Sequence, residues 1–373
     1  MSSCFGNYFR LSLFGQSHGP AVGVTLDGFP AGMEIDMEDV LHQMARRAPG
    51  QSALTTPRKE SDAPEIISGY FRGKTTGQPL TCLIRSQNTR SQDYGEQVDL
   101  PRPGHADYTG HVRYYGFEDF RGGGHFSARL TAPLVFAGAL CRQYFAAQGI
   151  TVACHIQQLE NLHDKSFLDP AEPGDTPADR LASLTLPTLR PELAAQMEAA
   201  ILAAKAEQDS VGGVIECRLS GLPAGLGAPF FDSVESVLSH LMFSIPAVKG
   251  VSFGAGFDFA ALRGSQANDA FRMEGGHVVT ATDRCGGILG GITTGGDVIF
   301  RCVIRATPSI GKPQPTVSLV RSEDAELSIH GRHDPCVLPR AVPVVEAMAA
   351  IVTLDLLLEA QAGKLPDLHT SDR

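Results

Sequence analysis

The chain has 373 residues, of which 43% are hydrophobic and 19% charged, and its formal net charge is −10. This composition is typical of a globular protein with a large core, and an acidic chain without long Lys/Arg runs argues against a nucleic-acid partner. We find no apolar signal core at the N-terminus and no uninterrupted apolar run of the roughly 20 residues that a membrane span needs. The sequence therefore predicts a cytoplasmic protein with no membrane partner.

The eight cysteines include no C-x-x-C pair, and most of them lie in apolar runs. This pattern predicts buried free thiols in a reducing compartment and no disulfide framework.

In the first half, alternating and apolar runs predict strands at residues 8–14, 22–26, 65–71 and 80–85. Asp36 is the predicted N-cap of a helix at residues 37–48, which ends at a Pro-Gly pair and carries two arginines in its last turn. The polar segment 86–119 shows little periodicity, and loops of this length are usually functional or disordered.

A run of three glycines, Gly122 to Gly124, precedes a long apolar segment that predicts a buried helix over residues 132–148. Ser127 and Thr131 are expected where this helix begins, and free N–H groups at a helix start attract anions. Arg121 and Arg129 add positive charge in a geometry suited to phosphate or carboxylate. A plain glycine-rich turn is the alternative interpretation of the motif alone.

The second half predicts strands at residues 150–159, 214–219 and 298–305 and helices at residues 191–207, 232–243 and 342–358. Asp232 and Glu235 are the expected capping box of the middle helix, and residues 161–187 are expected to form an exposed insertion. Hairpin links and helices too apolar for a surface favour an α+β fold of antiparallel sheets with the helices between them. We expect one large domain, residues 1–360, with a polar tail at 361–373; a loose similarity of the two halves suggests an internal duplication.

Several motifs in register resemble the chorismate synthase family across nearly the whole chain. They are Gly15-Gln16-Ser17-His18-Gly19, residues 88–94, Arg102-Pro103-Gly104-His105-Ala106-Asp107, the glycine run through Arg129, residues 244–250, Gly331-Arg332-His333-Asp334-Pro335-Cys336 and Arg340-Ala341-Val342-Pro343. The resemblance implies a β–α–β sandwich, a homotetramer, and a lyase that removes phosphate and a ring hydrogen from 5-enolpyruvylshikimate 3-phosphate. It also implies reduced FMN as cofactor, used without net redox change.

The resemblance also assigns residues. His18 would protonate the departing phosphate, His105 the reduced flavin, and Asp334 would help the flavin to accept the ring hydrogen. Ser17 and Ser127 would relay protons. The implied FMN contacts are His125, Phe126, Ser127, Pro246, Ala247, Gly290, Arg305, Ala306, Thr307, Pro308, Ser309 and Arg332; the implied substrate contacts are Arg46, Arg47, Arg129 and Arg332. The residue types suit the chemistry, because a phosphate leaving group needs arginine forks and a proton donor.

This sequence departs from the family pattern at Gln16, Ala48, Ala53, His125, Leu130 and Arg305. Ala48 and Ala53 replace arginines, and each lost charge-assisted bond is worth about 1.5–3 kcal/mol if buried. Ala53 stands where the family links an arginine to the nicotinamide cofactor, which argues against NADPH as the direct reductant of FMN. An external flavin reductase is the alternative source of the electrons. We further hypothesise that His125 replaces the missing arginine as a partial cation.

Two other interpretations stay open on the sequence alone. The departures suggest a weakened or inactive paralogue that binds a flavin or an anion. Alternatively, the set His105, Asp107, His111, His333 and Asp334 contains ligand types suited to a metal-dependent hydrolase, although no spacing matches a metal signature and we expect no metal.

Overall fold

A layer of helices lies between two five-stranded antiparallel sheets. The computed structural model describes residues 3–50, 54–55, 62–86, 99–169, 177–329 and 334–363. The elements of the first half are β1 (Cys4–Phe5), β2 (Arg10–Gly15), β3 (Ala21–Asp27), α1 (Met37–Arg47), β4 (Pro64–Ser68), β5 (Tyr70–Phe71), β6 (Lys74–Thr75), β7 (Leu80–Arg85), α2 (Asp107–Arg113) and α3 (Thr131–Ala146).

The second half continues with the other sheet and the last core helix. Its elements are β8 (Thr151–Leu159), β9 (Leu162–His163), α4 (Pro177–Ala182), α5 (Pro191–Ala206), β10 (Gly213–Ser220), α6 (Val234–Met242), β11 (Val248–Phe253), α7 (Gly264–Ala267), β12 (Phe271–Glu274), β13 (His277–Thr280), β14 (Ile288–Leu289), β15 (Ile292–Thr293), β16 (Val298–Ile304), β17 (Gln314–Ser318), β18 (Glu323–Leu327) and α8 (Leu338–Ala362).

The first sheet has the strand order β1-β2-β3-β7-β4, and the second has the order β11-β16-β10-β8-β9. Every neighbouring pair in both sheets is antiparallel. β-Branched residues such as Val22 and Val24 occupy β3, whose central positions are buried, as expected for a strand covered by helices. The strand predicted at residues 65–71 is divided into β4, which pairs with β7, and β5, which forms a short hairpin with β6.

Helix α3 packs on β3 and β7 of the first sheet, and α8 packs on β8 and β10 of the second. The two helices also pack on each other, closely enough that a Cβ at Gly138 would lie 2.3 Å from Ala347. Twelve of the sixteen α3 residues are buried, so these helices form the core between the sheets. The predicted sandwich of antiparallel sheets with buried helices is confirmed, whereas the internal duplication stays a prediction.

Helix α8 is long and apolar enough, by length and composition alone, to cross a bilayer. In the fold, 94% of the 18-residue apolar stretch of this helix is buried inside the protein. The helix is therefore a core element, as its apolar composition predicts for a helix between two layers. It continues to Ala362 at the start of the predicted tail, and residues 364–373 lie outside the described part of the chain.

Several local expectations are confirmed and others are wrong. Asp36 caps α1 by accepting bonds from the amides of Glu38 and Asp39. All eight cysteines are free thiols and six are buried, but Cys4 is exposed and Cys285 is half-buried. The capping box is wrong, because Ser233 is the N-cap of α6 and accepts from the amide of Ser236.

The expected exposed insertion at residues 161–187 is only partly exposed. Asp164 and Leu181 in this segment are buried, and β9 and α4 form within it. Sequence reasoning also missed α2, β11 and the β12–β13 hairpin, which it treated as irregular segments. In α2 and β11, Gly110 and Gly250 interrupt the periodic pattern, and the hairpin is mostly exposed, so no apolar alternation marks it.

Candidate active site

Ser17 and His18 lie on the tight turn that joins β2 to β3. The amide of Gly19 donates to the carbonyl of Gln16 at 3.1 Å, and the amide of Ser17 donates to the carbonyl of Gly124 at 3.0 Å. The second bond attaches this turn to the glycine-rich loop. Both Ser17 and His18 are buried, at 4% and 7% exposure.

The three glycines of that loop all have positive φ, between 52° and 80°, a conformation that favours glycine. A Cβ at Gly122 would lie 2.2 Å from Cε1 and Nδ1 of His18, and a Cβ at Gly123 would lie 3.0 Å from Cε1 of His105. The two imidazoles therefore pack against consecutive glycines. The structure brings together the two histidines that the sequence singles out as proton donors.

His105 is held from behind by a buried ion pair. Its Nδ1 lies 2.6 Å from Oδ1 of Asp107, and Arg102 donates from Nε and Nη2 to the same carboxylate at 2.7 Å each. Burial alone would raise the pKa of Asp107, but the hydrogen bonds and charges of Arg102 and His105 outweigh it and hold that pKa well below its usual range. Asp107 is thus an anion at neutral pH, so Nδ1 of His105 carries the donated proton and Nε2 faces Gly123.

The Arg102 segment is itself anchored to the β17–β18 hairpin. The hydroxyl of Thr316 donates to the carbonyl of Pro101 at 2.5 Å, and the hydroxyl of Ser318 donates to both carboxylate oxygens of Asp99. These contacts fix residues 99–106, which form no helix or strand before α2 begins.

Arg47 and Arg129 meet on one buried carboxylate, that of Asp62. Arg47 donates to Asp62 from Nη1 at 2.8 Å, to the hydroxyl of Thr131 from Nε and to the carbonyl of Ala128 from Nη2. Arg129 donates to the other oxygen of Asp62. Two guanidinium groups are therefore fixed beside the start of α3, where Ser127 accepts from the amide of Arg129.

Arg46 is not placed with these arginines. It donates in a bidentate arrangement to Glu346 of α8, at 2.5 and 3.1 Å, and Arg142 of α3 donates to the same carboxylate at 3.1 Å. Burial alone would raise the pKa of Glu346, but the charges of Arg46 and Arg142 lower it. Arg46 thus joins helices within the core layer, and a substrate contact for it stays a prediction. Arg121 also makes a bidentate ion pair, because its Nε and Nη2 donate to the two carboxylate oxygens of Asp119.

Asp334 accepts a hydrogen bond from Nη1 of Arg340 at 2.5 Å. Nε of the same guanidinium donates to the carbonyl of Arg47 at 3.0 Å. The structure therefore links Asp334 to the end of α1 and, through Arg47, to the start of α3. Arg332, Ala53 and His333 lie outside the described residues.

Among the implied cofactor residues, Arg305 and Ala247 form one group, and Gly290 lines a separate cavity. The amide of Arg305 donates to the carbonyl of Ala247, which has a φ of 77°, and Nη1 of Arg305 donates to the carbonyl of Gly104 next to His105. This group includes the loop from Arg305 to Ser309. Gly290 lines a cavity of about 550 Å³ with Phe253, Phe257 and Cys285, whose walls include neither His18 nor His105.

The residues at the family departures have ordinary surroundings. Phe126 is 38% exposed and lies against Gly110, with its ring centroid 6.0 Å from that of Tyr114 and the two rings tilted by 57°. His125 uses both ring nitrogens, with Nδ1 2.8 Å from the carbonyl of Gly15 and Nε2 3.2 Å from the hydroxyl of Ser3. Ala48 and Leu130 are buried in the core, and Gln16 is exposed.

The residues of the metal hypothesis do not converge in the part of the chain that is described. Asp107 is engaged by Arg102 and His105, and His111 pairs with Glu118 at 3.2 Å. No group of three or more His, Cys, Asp or Glu side chains that could hold a metal occurs among the described residues. Nothing therefore favours this alternative.

Sequence reasoning missed the roles of Asp62, Arg102 and Arg340, and treated Asp107 only as a metal ligand. A carboxylate two residues after His105 could have been recognised as its orienting partner. Asp62 carries no such signal, because its contacts with Arg47 and Arg129 join positions far apart in the chain.

Comparisons with known proteins agree over almost the whole chain. A family model described as chorismate synthase matches residues 9–358. A chorismate synthase of Methanosarcina acetivorans is 45% identical over 358 residues, which cover 95% of this chain and 96% of the relative. One of Dehalococcoides mccartyi is 44% identical over 371 residues, covering 98% and 99%. A crystal structure of chorismate synthase matches with a TM-score of 0.75 and 28% identity, covering 96% of this chain and 94% of that one.

Proposed function

The chain belongs to the chorismate synthase family, and from that premise we propose which of its residues carry the reaction. The family's lyases eliminate phosphate from 5-enolpyruvylshikimate 3-phosphate to give chorismate, a step of the shikimate pathway towards the aromatic amino acids. Neither an inactive paralogue nor a metal-dependent hydrolase is favoured by any contact among the described residues. The observation that carries the proposal is the packing of His18 and His105 against Gly122 and Gly123.

Family membership implies a reduced flavin cofactor, and we take it to be FMN. The residues present fit such a group, since the hydroxyl oxygen of Thr307 is buried without a hydrogen-bond partner. Thr307 and its neighbours from Arg305 to Ser309 would hold the flavin together with Phe126, Ser127, Pro246 and Ala247. When bound, the reduced flavin supplies electron density to the reacting ring and is recovered unchanged.

Arg47 and Arg129 would bind the anionic groups of the substrate. Both are buried; Asp62, Thr131 and the carbonyl of Ala128 fix the guanidinium plane of Arg47 before a ligand arrives, and Asp62 also accepts from Arg129. Such preorganised forks suit phosphate and carboxylate, whose charges they neutralise in a poorly hydrated site.

His18 would deliver a proton to the departing phosphate. Its imidazole is buried, and the imidazole and the hydroxyl of Ser17 both lie against Gly122. A phosphate that leaves as a more protonated anion is a better leaving group, so a positioned imidazole lowers the barrier.

His105 would carry a second proton at Nε2, while its Nδ1 proton stays hydrogen-bonded to Asp107. The anionic Asp107 stabilises the resulting imidazolium, and Arg102 keeps Asp107 in place. For Asp334 we propose that its carboxylate, which Arg340 holds, helps the flavin to accept the hydrogen that leaves the substrate ring.

The assembly and the location in the cell are also proposals. We infer a homotetramer in the cytoplasm, supported by exposed aromatic side chains such as Phe230, Phe231 and Phe257, which are 85%, 91% and 91% exposed. Large apolar side chains exposed to this degree are typical of protein–protein contacts. Light scattering on the purified protein measures the assembly directly.

The proposed function is tested by anaerobic turnover of 5-enolpyruvylshikimate 3-phosphate with photoreduced FMN. We expect chorismate and inorganic phosphate in equal amounts. Retained flavin binding without any chorismate would instead indicate the inactive paralogue. The same assay with oxidised FMN and NADPH, with and without a flavin reductase, identifies the source of the electrons.

A further inference from the structure

Arg340 lies in the first turn of α8, where Asp334 and the end of α1 meet. Its Nη1 donates to Asp334 at 2.5 Å and its Nε donates to the carbonyl of Arg47 at 3.0 Å. Arg47 is the last residue of α1, and the last carbonyls of a helix have no partner within the helix. The guanidinium is therefore fixed on one side by a backbone group and on the other by the carboxylate.

We propose that Arg340 is a positioning residue that sets the orientation of the Asp334 carboxylate relative to Arg47. Its hydrogen bond restricts the rotation of the Asp334 side chain. The Asp334 carboxylate and the backbone carbonyl of Arg47 are held by one planar guanidinium that cannot lose its charge. This inference rests on the proposed function, because it acts through the role given there to Asp334.

A cavity beside Arg340 makes the inference testable by chemical rescue. The cavity, of about 250 Å³, is lined by Arg340 and Arg46 together with His42, Thr55, Ser183 and Thr185. Removal of the Arg340 side chain enlarges this space, so a guanidinium ion from solution can enter and occupy the position of the lost group.

The experiment compares Arg340→Ala, Arg340→Lys, Asp334→Asn and the double variant under anaerobic turnover with photoreduced FMN. We expect Arg340→Ala to lower kcat by about 10- to 100-fold, the range for residues that orient a catalytic group, with little change in KM. Guanidinium chloride at millimolar concentration should restore part of that loss, whereas Arg340→Lys should keep more activity than Arg340→Ala. Because Arg340 acts through Asp334, the double variant should be no slower than Asp334→Asn.

A second readout needs neither flavin nor substrate. Hydrogen exchange of the free protein should be faster in the last turn of α1 in Arg340→Ala, since the carbonyl of Arg47 loses its partner. Arg272→Ala, which removes an exposed guanidinium paired with Glu274, is the matched control and should leave turnover and its guanidinium response unchanged.

The outcomes separate the two levels of the proposal. Wild-type turnover in Asp334→Asn would contradict the role of Asp334 and thereby the proposed function of that residue. An impaired Asp334→Asn beside an unimpaired Arg340→Ala, or losses that add in the double variant, would overturn the inference about Arg340. If Arg340→Ala does not fold, Arg340→Lys takes its place. It should lower kcat relative to the wild type, and this effect should disappear when Asp334 is already replaced by Asn.

Discussion

Gly122 lies so close to His18 that only hydrogen fits between them, since a Cβ at Gly122 would be 2.2 Å from two atoms of the imidazole. Gly122→Ala should therefore displace His18 and lower kcat by about 100-fold, the cost of a misplacement of roughly 1 Å in an active site. Gly264→Ala is the control, because Gly264 has nothing within 4 Å of its Cβ direction and no positive φ. A Gly122→Ala variant as fast as Gly264→Ala would show that the position of His18 is unimportant.

Asp107→Asn should lower turnover by about 10- to 100-fold, because an orienting partner of a functional histidine is lost. The same carboxylate contributes to stability. Since its pKa is lowered in the folded protein, the contribution is present above the ordinary pKa of about 4 and is lost as the pH falls towards the lowered value.

Thermal unfolding of wild type and Asp107→Asn between pH 3 and pH 7 measures this effect. The stability advantage of the wild type should be constant from pH 5 to pH 7 and should shrink below about pH 4. An advantage that grows on acidification would contradict the ion pair with Arg102.

His155 is a structural histidine of the second sheet, buried between Glu216 at 3.0 Å and Asp164 at 3.3 Å. Burial alone would lower the pKa of His155, but the hydrogen bonds to the two carboxylates outweigh it and raise that pKa. A raised pKa adds stability that is full below the ordinary value of about 6.5 and is lost as the pH rises through the folded value.

His155→Gln should therefore lose about 3 kcal/mol of unfolding free energy at pH 6, and less at pH 9. Urea unfolding at both values measures the difference. His277→Gln, on the exposed β12–β13 hairpin, should show no such dependence on pH. A loss in His155→Gln that is equal at both pH values would rule out a charged imidazole.

Glu346→Gln should destabilise the protein by about 3 kcal/mol, because it leaves Arg46 and Arg142 without their buried carboxylate. The double variant Arg46→Met, Glu346→Met removes Arg46 together with its carboxylate and should recover much of that stability. Its KM then decides the role of Arg46. An unchanged KM assigns Arg46 to the core, whereas a large increase would support the substrate contact that the family resemblance implies.

Much of the site could be predicted from the sequence where a short motif holds the whole geometry. The Ser17-His18 turn and the run Gly122 to Gly124 are examples, because tight turns and positive φ are local properties of glycine. The sandwich was predictable for a similar reason: the helices that became α3 and α8 are too apolar to face water.

The missing parts depend on contacts between distant positions. Arg46 and Arg47 are neighbours in sequence and equivalent by composition, yet one pairs with Glu346 and the other with Asp62. Only the packing of α1 on α3 and α8 decides which carboxylate each arginine meets. The pairing of Arg340 with the end of α1 is likewise a result of tertiary structure that no local pattern marks.

The most direct test is single-turnover formation of chorismate by His18→Ala and His105→Ala, each loaded with photoreduced FMN, with flavin affinity measured in parallel. If the two imidazoles act together at Gly122 and Gly123, each variant should bind FMN and lose at least about 100-fold in rate, within the usual contribution of a general acid. Wild-type rates in both variants would contradict the proposed site.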